Sequence, residues 1–272
     1  MIEVKNLKFK YAGQSQPVID DLNLQLEANK IYGLLGKNGT GKSTLLYLMA
    51  GLLRPQGGSV SVDGFTPHKR QAEMLREFFI VPEEFDFPRT SLRSYVRLMA
   101  PFYPRFSQEV LKSCLAEFEL EDDLQLNALS MGQKKKVFMS VALAAGTRLL
   151  VMDEPTNGLD IPSKSQFRKV VAQQMSDDRT LIISTHQVHD VESLLDHILI
   201  LSRRALLFDQ SVDDITARYA FDFRKPDEMD GVLYAEPTLQ GNMAMSLRQE
   251  GDPETQLNLE LLFNAVTKGL VK

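Results

Sequence analysis

The sequence predicts an α/β protein with a mostly parallel sheet core, an antiparallel β subdomain, a helical insertion and a small C-terminal extension. Three observations predict this architecture. Alternating strand patterns fill much of residues 2–26, a glycine-rich loop joins a strand to a helix at residues 36–44, and short apolar runs then alternate with helical segments. Strands that alternate with helices are typical of a parallel sheet covered by helices on both faces.

The composition is that of an ordinary globular protein, with 43% hydrophobic and 25% charged residues among 272. A net charge of −5 provides no general basic surface, so we expect no nucleic-acid partner. The single cysteine, Cys114, excludes an internal disulfide. Residues 1–10 alternate like a strand rather than a signal peptide, and no run of 18 apolar residues predicts a membrane span. Any membrane-spanning part is therefore expected in another chain.

The first part of the chain predicts short strands on either side of the glycine-rich loop. Polar and apolar residues alternate in two segments, which indicates half-buried antiparallel strands, and apolar runs indicate buried ones. The predicted strands are residues 2–9, 18–26, 31–35, 59–64 and 78–81, and a helix is expected from residue 44 to residue 50.

The middle of the chain predicts a helical insertion and then further strands of the parallel sheet. From about residue 88 to residue 128, apolar side chains recur at helical spacing, and we place the whole helical subdomain at about residues 88–146. Buried runs follow at residues 149–152, 180–184 and 198–201, and residues 205–208 complete an edge hairpin. These segments define an expected first domain of residues 1–220.

The last part of the chain is more polar, and proline and glycine interrupt it repeatedly. Strand patterns at residues 231–235 and 243–248 precede a helical pattern at residues 256–266. We expect a small accessory domain over residues 221–272. The alternative is that its helix simply packs on its own domain.

Residues 36–44 read GKNGTGKST and fit the phosphate-binding pattern GxxxxGK[ST]. Glycines permit backbone angles and close approaches that a Cβ would forbid, so successive N–H groups can turn toward one anion. The lysine can reach the β- and γ-phosphates, and the following hydroxyl can bind Mg²⁺. A glycine-rich turn without a ligand is the alternative. The expected nucleoside triphosphate site comprises Gly36, Lys37, Asn38, Gly39, Thr40, Gly41, Lys42, Ser43 and Thr44.

Two adjacent carboxylates, Asp153 and Glu154, follow the buried run at residues 149–152. Neighbouring residues of a strand point to opposite faces, so the two cannot perform the same task. Phosphoryl transfer needs charge neutralisation by Mg²⁺ and one positioned nucleophile. We therefore expect Asp153 to hold the metal and Glu154 to act as general base. The alternative is a solvent-facing acidic turn before Pro155.

His186 stands just beyond the buried run that ends at residue 185. Ligands of parallel sheets gather at the carboxyl ends of the strands, where a histidine can donate a hydrogen bond to a phosphate or to the attacking water. A lone histidine is more often structural, but here the other motifs favour a catalytic role. No such context surrounds His68, His189 or His197, so we expect these to be structural.

Residues 129–133, LSMGQ, precede a helix expected from residue 134 to residue 145. Ser130 and Gln133 have the spacing of a capping box. Three lysines at residues 134–136 are unusual there, because cations are disfavoured at a helix N-terminus. Either a solvated face or a nearby phosphate would explain them.

These motifs, in this order, resemble those of the ATP-binding cassette (ABC) proteins over roughly residues 1–219, and the resemblance implies the fold of a P-loop NTPase. Tyr11 stands where that family stacks an aromatic ring on adenine; alone, it is an ordinary strand-end tyrosine. The corresponding motifs are the Walker A loop (residues 36–44), the signature (residues 129–133, usually LSGGQ), the Walker B strand (residues 150–154), the D-loop (residues 155–160) and the switch histidine, His186.

The resemblance also implies a head-to-tail dimer of cassettes. In such a dimer, Ser130, Gly132 and Gln133 of one subunit would contact the nucleotide bound by the other, and Asp160 of the D-loop would act across the same interface. Spacing alone could not have indicated that arrangement. The nucleotide would be ATP with Mg²⁺.

Four residues depart from the family pattern. Lys37 replaces a proline and could add a cation near the phosphates. Met131 replaces the first glycine of the signature. Lys136 replaces an arginine, so the planar bidentate hydrogen bonding of a guanidinium is lost. Glu83 stands where the family usually has the Q-loop glutamine. Its carboxylate could still reach Mg²⁺, while adding negative charge. Because Glu154 and His186 are present, we still expect hydrolysis.

Residues 257–265 resemble the tail of single-cassette exporter ATPases of the ABC-2 type. This resemblance implies an ATPase subunit that drives export through a separate transmembrane permease, held at the inner face of the cell membrane by that permease. The partner cassette could be a second copy or a different chain. The alternative is a soluble or regulatory cassette ATPase that is not coupled to transport.

Overall fold

A computed structural model of the chain describes residues 2–203, 205–249 and 251–271. In chain order, its strands are β1 (Ile2–Phe9), β2 (Ile19–Leu26), β3 (Ile31–Leu35), β4 (Gly57–Val62), β5 (Phe78–Val81), β6 (Leu149–Asp153), β7 (Thr180–Thr185), β8 (His197–Ser202), β9 (Ala205–Ser211), β10 (Tyr219–Arg224), β11 (Val232–Thr238) and β12 (Gly241–Leu247). The α-helices are α1 (Lys42–Met49), α2 (Ala72–Arg76), α3 (Leu92–Met99), α4 (Gln108–Glu117), α5 (Met131–Ala144), α6 (Ile161–Gln174), α7 (Val212–Arg218) and α8 (Leu259–Thr267).

The central sheet has the strand order β5-β6-β7-β3-β8-β9. Its strands run parallel except for β9, which pairs antiparallel with β8 at one edge. The loop after β3 therefore lies at the same end of the sheet as the residues that follow β6 and β7. That arrangement brings the predicted phosphate loop, acidic pair and histidine into one region.

Side chains of the central strands alternate between two hydrophobic cores, one on each face of the sheet. On β6, Leu150 and Met152 join the core that helices α4, α5, α6 and α8 cover. Leu149 and Val151 join the core formed with α1 and the antiparallel sheet β2-β1-β4. Burial of both faces explains why these strands read as continuous apolar runs in the sequence.

The helical insertion consists of α3, α4 and α5 with short connecting turns. Ser91 and Ser107 cap α3 and α4, because each hydroxyl accepts a hydrogen bond from the backbone N–H three residues later. Leu111, Cys114, Leu115 and Phe118 face the core, as their helical spacing predicts. Burial raises the pKa of the Cys114 thiol to about 12.

The C-terminal segment forms a third sheet, β10-β12-β11, and the helix α8. Residues Leu259, Leu262 and Val266 of α8 share the core of the central sheet, where α8 contacts the turn at residues 188–190. The backbone N–H of Leu259 donates to Glu192 at 2.8 Å. The helix therefore packs on the preceding part of the chain, while the division at residue 220 stays a prediction.

The predicted fold class is confirmed, including the parallel core, the antiparallel sheet and the helical insertion. Three of these elements were not predicted: α2, α7, which follows the last strand of the central sheet, and β10, which belongs to the third sheet. Within the described residues, no helix combines the length and the apolar character that crossing a bilayer requires.

Candidate active site

The phosphate loop is shaped by its glycines. Gly39 and Gly41 have φ angles of 78° and 102°, which favour glycine, and a Cβ on Gly36 would lie 2.6 Å from the carbonyl oxygen of Leu201. Thr40 closes the loop, since its hydroxyl donates to the carbonyl oxygen of Lys37 at 2.9 Å. These constraints explain why the sequence needs glycine at these positions.

Helix α1 begins at Lys42 with no acidic residue in its first turn and no side chain capping it. Its free N–H groups border an open cavity of about 330 Å³. Such a helix end attracts anions, because the unpaired N–H groups and the helix dipole are both positive there. The cavity is lined by Tyr11, Gln14, Val18, Asn38, Gly39, Thr40, Gly41, Lys42, Ser43, Thr44, Glu83 and Glu154.

Tyr11, which follows β1, and Glu83, which follows β5, both line the cavity. The Tyr11 hydroxyl lies 3.1 Å from Oγ1 of Thr44, and its ring packs edge-on against Phe9. One oxygen of Glu83 accepts a hydrogen bond from the Asn157 amide at 3.0 Å. Both residues therefore lie beside the phosphate loop, where the resemblance places an adenine contact and a metal contact.

Glu154 lies between a lysine and a histidine at the end of β6. Its Oε1 is 3.3 Å from Nζ of Lys42 and 2.9 Å from Nδ1 of His186, and its Oε2 accepts the backbone N–H of His186 at 3.3 Å. The side chains of Glu154 and Lys42 are 6% and 5% exposed. Glu154 also has a φ of 46°, a left-handed conformation that costs energy for a residue other than glycine.

Asp153 points away from Glu154 and toward β7 and α1. Its Oδ1 accepts a hydrogen bond from Ser184, which stands opposite it in the β6–β7 register. Its Oδ2 is buried and has no hydrogen-bond partner in the described part of the chain. Burial raises the pKa of the Asp153 carboxyl, while the hydroxyls of Ser184 and Ser43 oppose this shift. The acidic pair is therefore built into the strand end and is not a solvated turn.

The segment before α5 forms a complete capping box. The Ser130 hydroxyl accepts the N–H of Gln133, and the Gln133 side chain accepts the N–H of Ser130. Gly132 lies near the D-loop, since a Cβ there would be 3.9 Å from the carbonyl oxygen of Gly158. The side chain of Asp160 caps α6 by accepting the N–H of Ser163 at 2.9 Å.

The lysines at residues 134–136 do not share one explanation. Lys134 pairs with Asp86 at 3.3 Å, and Lys136 donates to the side chain of Gln166 at 3.0 Å. Lys135 is buried and donates to the carbonyl oxygens of Glu154 and Asn157 at 3.1 and 2.8 Å. Burial lowers the pKa of its ammonium group, against the attraction of nearby carboxylates.

The structure thus gathers most of the predicted site residues and separates a few. Residues 38–44 of the phosphate loop line one cavity together with Tyr11, Glu83 and Glu154. His186 contacts Glu154, and Asp153 precedes Glu154 at the end of β6, but the described residues that line the cavity do not include these two, Gly36 or Lys37. Ser130, Gly132, Gln133 and Asp160 are not among the described residues that line the cavity.

Sequence reasoning missed Ser184, Asn157 and Lys135. The unusual run of lysines at the start of a helix was the signal for Lys135.

Comparison with known proteins agrees with this geometry. Residues 19–157 match the sequence profile of the ABC transporter family. The ABC transporter ATP-binding protein YtrB of Bacillus subtilis is 25% identical over 221 residues, covering 80% of this chain and 75% of that protein. The bacitracin transport ATP-binding protein BcrA of Bacillus licheniformis is 29% identical over 231 residues, covering 82% and 74%.

A solved structure of an ATP-binding subunit of an ABC transporter superposes on this chain with a TM-score of 0.70 and 28% identity. The match covers 79% of this chain and 91% of that subunit. The family profile spans just over half of the present sequence and contains both the phosphate loop and the acidic pair. The chain therefore belongs to the ABC transporter family and is one of its ATPases.

Proposed function

We propose that the chain is the ATP-hydrolysing subunit of an exporter, that two cassettes act head-to-tail, and that a separate membrane subunit uses their cycle for transport. The observation that carries the proposal is the position of Glu154. It lies between Lys42 and His186, on the wall of the cavity that the phosphate loop forms.

In this proposal Glu154 is the general base. Its carboxylate faces the cavity end where Lys42 would meet the terminal phosphate, so it can accept a proton from a water aligned on that phosphate. His186 holds Oε1 through its ring and Oε2 through its backbone N–H, which fixes the direction of the carboxylate. Binding of ATP would draw Lys42 toward the phosphates and release Glu154 from its ion pair.

The residues around Asp153 fit a magnesium ion. Mg²⁺ is usually bound by one or two protein oxygens together with substrate phosphates and water. Asp153 offers a buried Oδ2 that has no hydrogen-bond partner in the described part of the chain, and the Ser43 hydroxyl acts on the same carboxylate. We assign these two residues as metal ligands, with Glu83 as a further candidate. The ion would neutralise charge on the phosphates.

A second cassette is needed because parts of the machinery lie away from the cavity of their own chain. Ser130 and Gln133 are exposed at the N-terminus of α5, as is Met131, 54% of whose surface is accessible. The capping box uses the N–H groups of Ser130 and Gln133, and those of Met131 and Gly132 between them suit contact with an anion supplied from outside the chain. In a head-to-tail pair, this helix end and Gly132 would face the nucleotide of the other cassette, with Asp160 at the same interface.

Measuring ATP hydrolysis by the purified chain at increasing protein concentration tests whether two cassettes act together. We expect the rate to rise with roughly the square of the concentration, because two chains must meet to form each competent site. The Glu154→Gln variant is the blank, since it lacks the proposed base. Tight ATP binding with no turnover at any concentration would contradict a self-sufficient homodimer and favour a regulatory module or a pair with a different cassette.

Coupling to a membrane subunit is supported by a groove between the central sheet and the helical insertion. The groove has a volume of about 690 Å³, is lined largely by aromatic and aliphatic side chains, and carries Arg70 and Arg76. Leu52 and Phe102 line it and are 54% and 67% exposed. We propose that a short amphipathic segment of the membrane subunit, with carboxylates beside an apolar face, occupies this groove. It would hold the chain at the inner face of the cell membrane.

Fractionation of cells that express the chain together with its native membrane proteins tests this docking. We expect the chain in the membrane fraction, and we expect Phe102→Glu to shift most of it to the soluble fraction, because a carboxylate would meet an apolar partner face. Leu239→Glu is the matched control, since Leu239 is fully exposed outside the groove. An unchanged distribution of Phe102→Glu, or a wholly soluble parent chain, would contradict docking at this groove.

A further inference from the structure

Lys135 is a buried cation to which the proposed mechanism assigns no role. Its side chain is 5% exposed, and its ammonium donates to two backbone carbonyl oxygens, those of Glu154 and Asn157. These oxygens accept two of the three ammonium protons but do not balance the charge, and an unbalanced buried charge destabilises the fold. A carboxylate is therefore needed nearby.

Glu83 is the first candidate for this carboxylate. Together with Glu154 and Asp153 it opposes the lowering of the Lys135 pKa that burial causes, and its contribution is the largest of the three. Glu83 and Lys135 also share a binding partner. Glu83 accepts from the amide side chain of Asn157 at 3.0 Å, while Lys135 donates to the carbonyl oxygen of the same residue at 2.8 Å. Asn157 is therefore held on both sides by groups of opposite charge.

The backbone of Glu154 requires support of this kind. Its φ of 46° is disfavoured for a residue with a side chain, and such conformations persist only where the surroundings impose them. The N–H of Glu154 donates to the carbonyl oxygen of Ser184 at 3.0 Å, and its own carbonyl oxygen accepts from Lys135 at 3.1 Å. The same carbonyl oxygen also accepts the backbone N–H of Asn157 at 3.2 Å, so Lys135 reinforces the turn that joins residues 154 and 157.

We propose that Lys135 and Glu83 form a charge-balanced clamp on Asn157 that positions the backbone of Glu154 for catalysis. The glutamate at position 83 and the lysine at position 135 are then a matched pair, and each requires the other. Glu83 follows β5 and Lys135 lies on α5, so the clamp connects both sides of the helical insertion to the loop that carries the general base. The catalytic part of this inference rests on the proposed role of Glu154.

A double-mutant cycle tests the clamp. Glu83→Gln keeps the volume and an oxygen that accepts from Asn157 but removes the charge, and Lys135→Met keeps the length but removes the charge and its hydrogen bonds. We expect each single variant to lower kcat about tenfold, with the KM for ATP changed less than about threefold. The double variant should also lose only about tenfold rather than a hundredfold, because neither charge is left unbalanced.

The control is Lys134→Met, because Lys134 pairs with the exposed Asp86 outside the cluster; its kcat should stay within about twofold of the parent. Two kcat results would overturn the clamp: losses that multiply in the double variant, or a Lys135→Met chain with the kcat of the parent. A parallel rise in KM would indicate collapse of the site, which also contradicts positioning.

Thermal unfolding without nucleotide separates this inference from the proposed function. The chains compared are the parent, Glu83→Gln, Lys135→Met and the double variant. Each single variant should lower Tm by several degrees, and the double variant should recover part of that loss. If the parent chain proves unable to hydrolyse ATP, non-additive Tm values still support the charge pair. Additive Tm values reject it, whatever the parent's activity.

Discussion

The Glu154→Gln chain is expected to hydrolyse ATP about 10²–10³-fold more slowly than the parent while still binding the nucleotide. The glutamine preserves the shape of the side chain and an oxygen for the backbone N–H of His186, but it cannot take a proton from water. The loss corresponds to about 3–4 kcal/mol of transition-state stabilisation. Steady-state kcat and an equilibrium titration with ATP measure the two quantities separately.

The ATP affinity expected for Glu154→Gln depends on the ion pair that Glu154 forms with Lys42 in the nucleotide-free chain. Glu154 and Lys42 are 3.3 Å apart and almost fully buried, so the negative charge competes with the phosphates for the lysine. Removing that charge should leave the Kd for ATP equal or lower. Glu84→Gln is the matched control, because Glu84 is exposed in the same segment as Glu83. A Glu154→Gln chain that keeps a tenth or more of the parent rate would show that another group takes the proton.

The parts of the site that local chemistry dictates could be predicted from the sequence. The loop before α1 needs glycine at Gly36 for space and at Gly41 for backbone conformation, and both requirements leave a readable pattern. Asp153 and Glu154 follow a buried run, so their place at a strand end could be inferred together with their opposite directions. The capping box at Ser130 is equally local.

Contacts between distant segments could not be predicted. Lys135 reaches the carbonyl oxygens of residues 154 and 157, and the sequence shows only an unusual lysine run on a helix. Strand β10 forms by pairing with β12, about twenty residues further along, and strand propensity depends strongly on such partners. The docking of α8 near Glu192 likewise depends on surfaces that exist only after the central sheet has formed.

Substitution of Lys42 by alanine is expected to raise the Kd for ATP about 10–100-fold and to reduce hydrolysis at least in proportion. The lysine provides the charged hydrogen bond to the phosphates, and hydrogen bonds to charged groups contribute about 1.5–3 kcal/mol. One factor of ten in Kd corresponds to about 1.4 kcal/mol. The loss of ATP affinity is measured by titrating the purified variant with ATP and by comparing the increase in Tm that saturating ATP produces in the variant and in the parent.

The same variant should also be less stable without nucleotide, because Lys42 is the buried counter-ion of Glu154 and a donor to Gly36 at 2.7 Å. Removing one partner of a buried ion pair costs about 3–5 kcal/mol of folding free energy. Lys42→Ala combined with Glu154→Gln should therefore regain stability but not ATP affinity. Lys112→Ala, at an exposed lysine of α4, should leave both unchanged.

Lys37→Ala separates charge from position within the phosphate loop. Lys37 is exposed, so its contribution to ATP binding should be smaller than that of Lys42 and should fade as salt concentration rises. The loss in Lys42→Ala should persist at high salt, because that lysine is buried beside the cavity. Equal losses of ATP affinity in the two variants would contradict the assignment of Lys42 as the lysine that binds the terminal phosphates. The assignment predicts unequal losses, because the side chain of Lys42 is buried at the base of the loop whereas that of Lys37 is exposed.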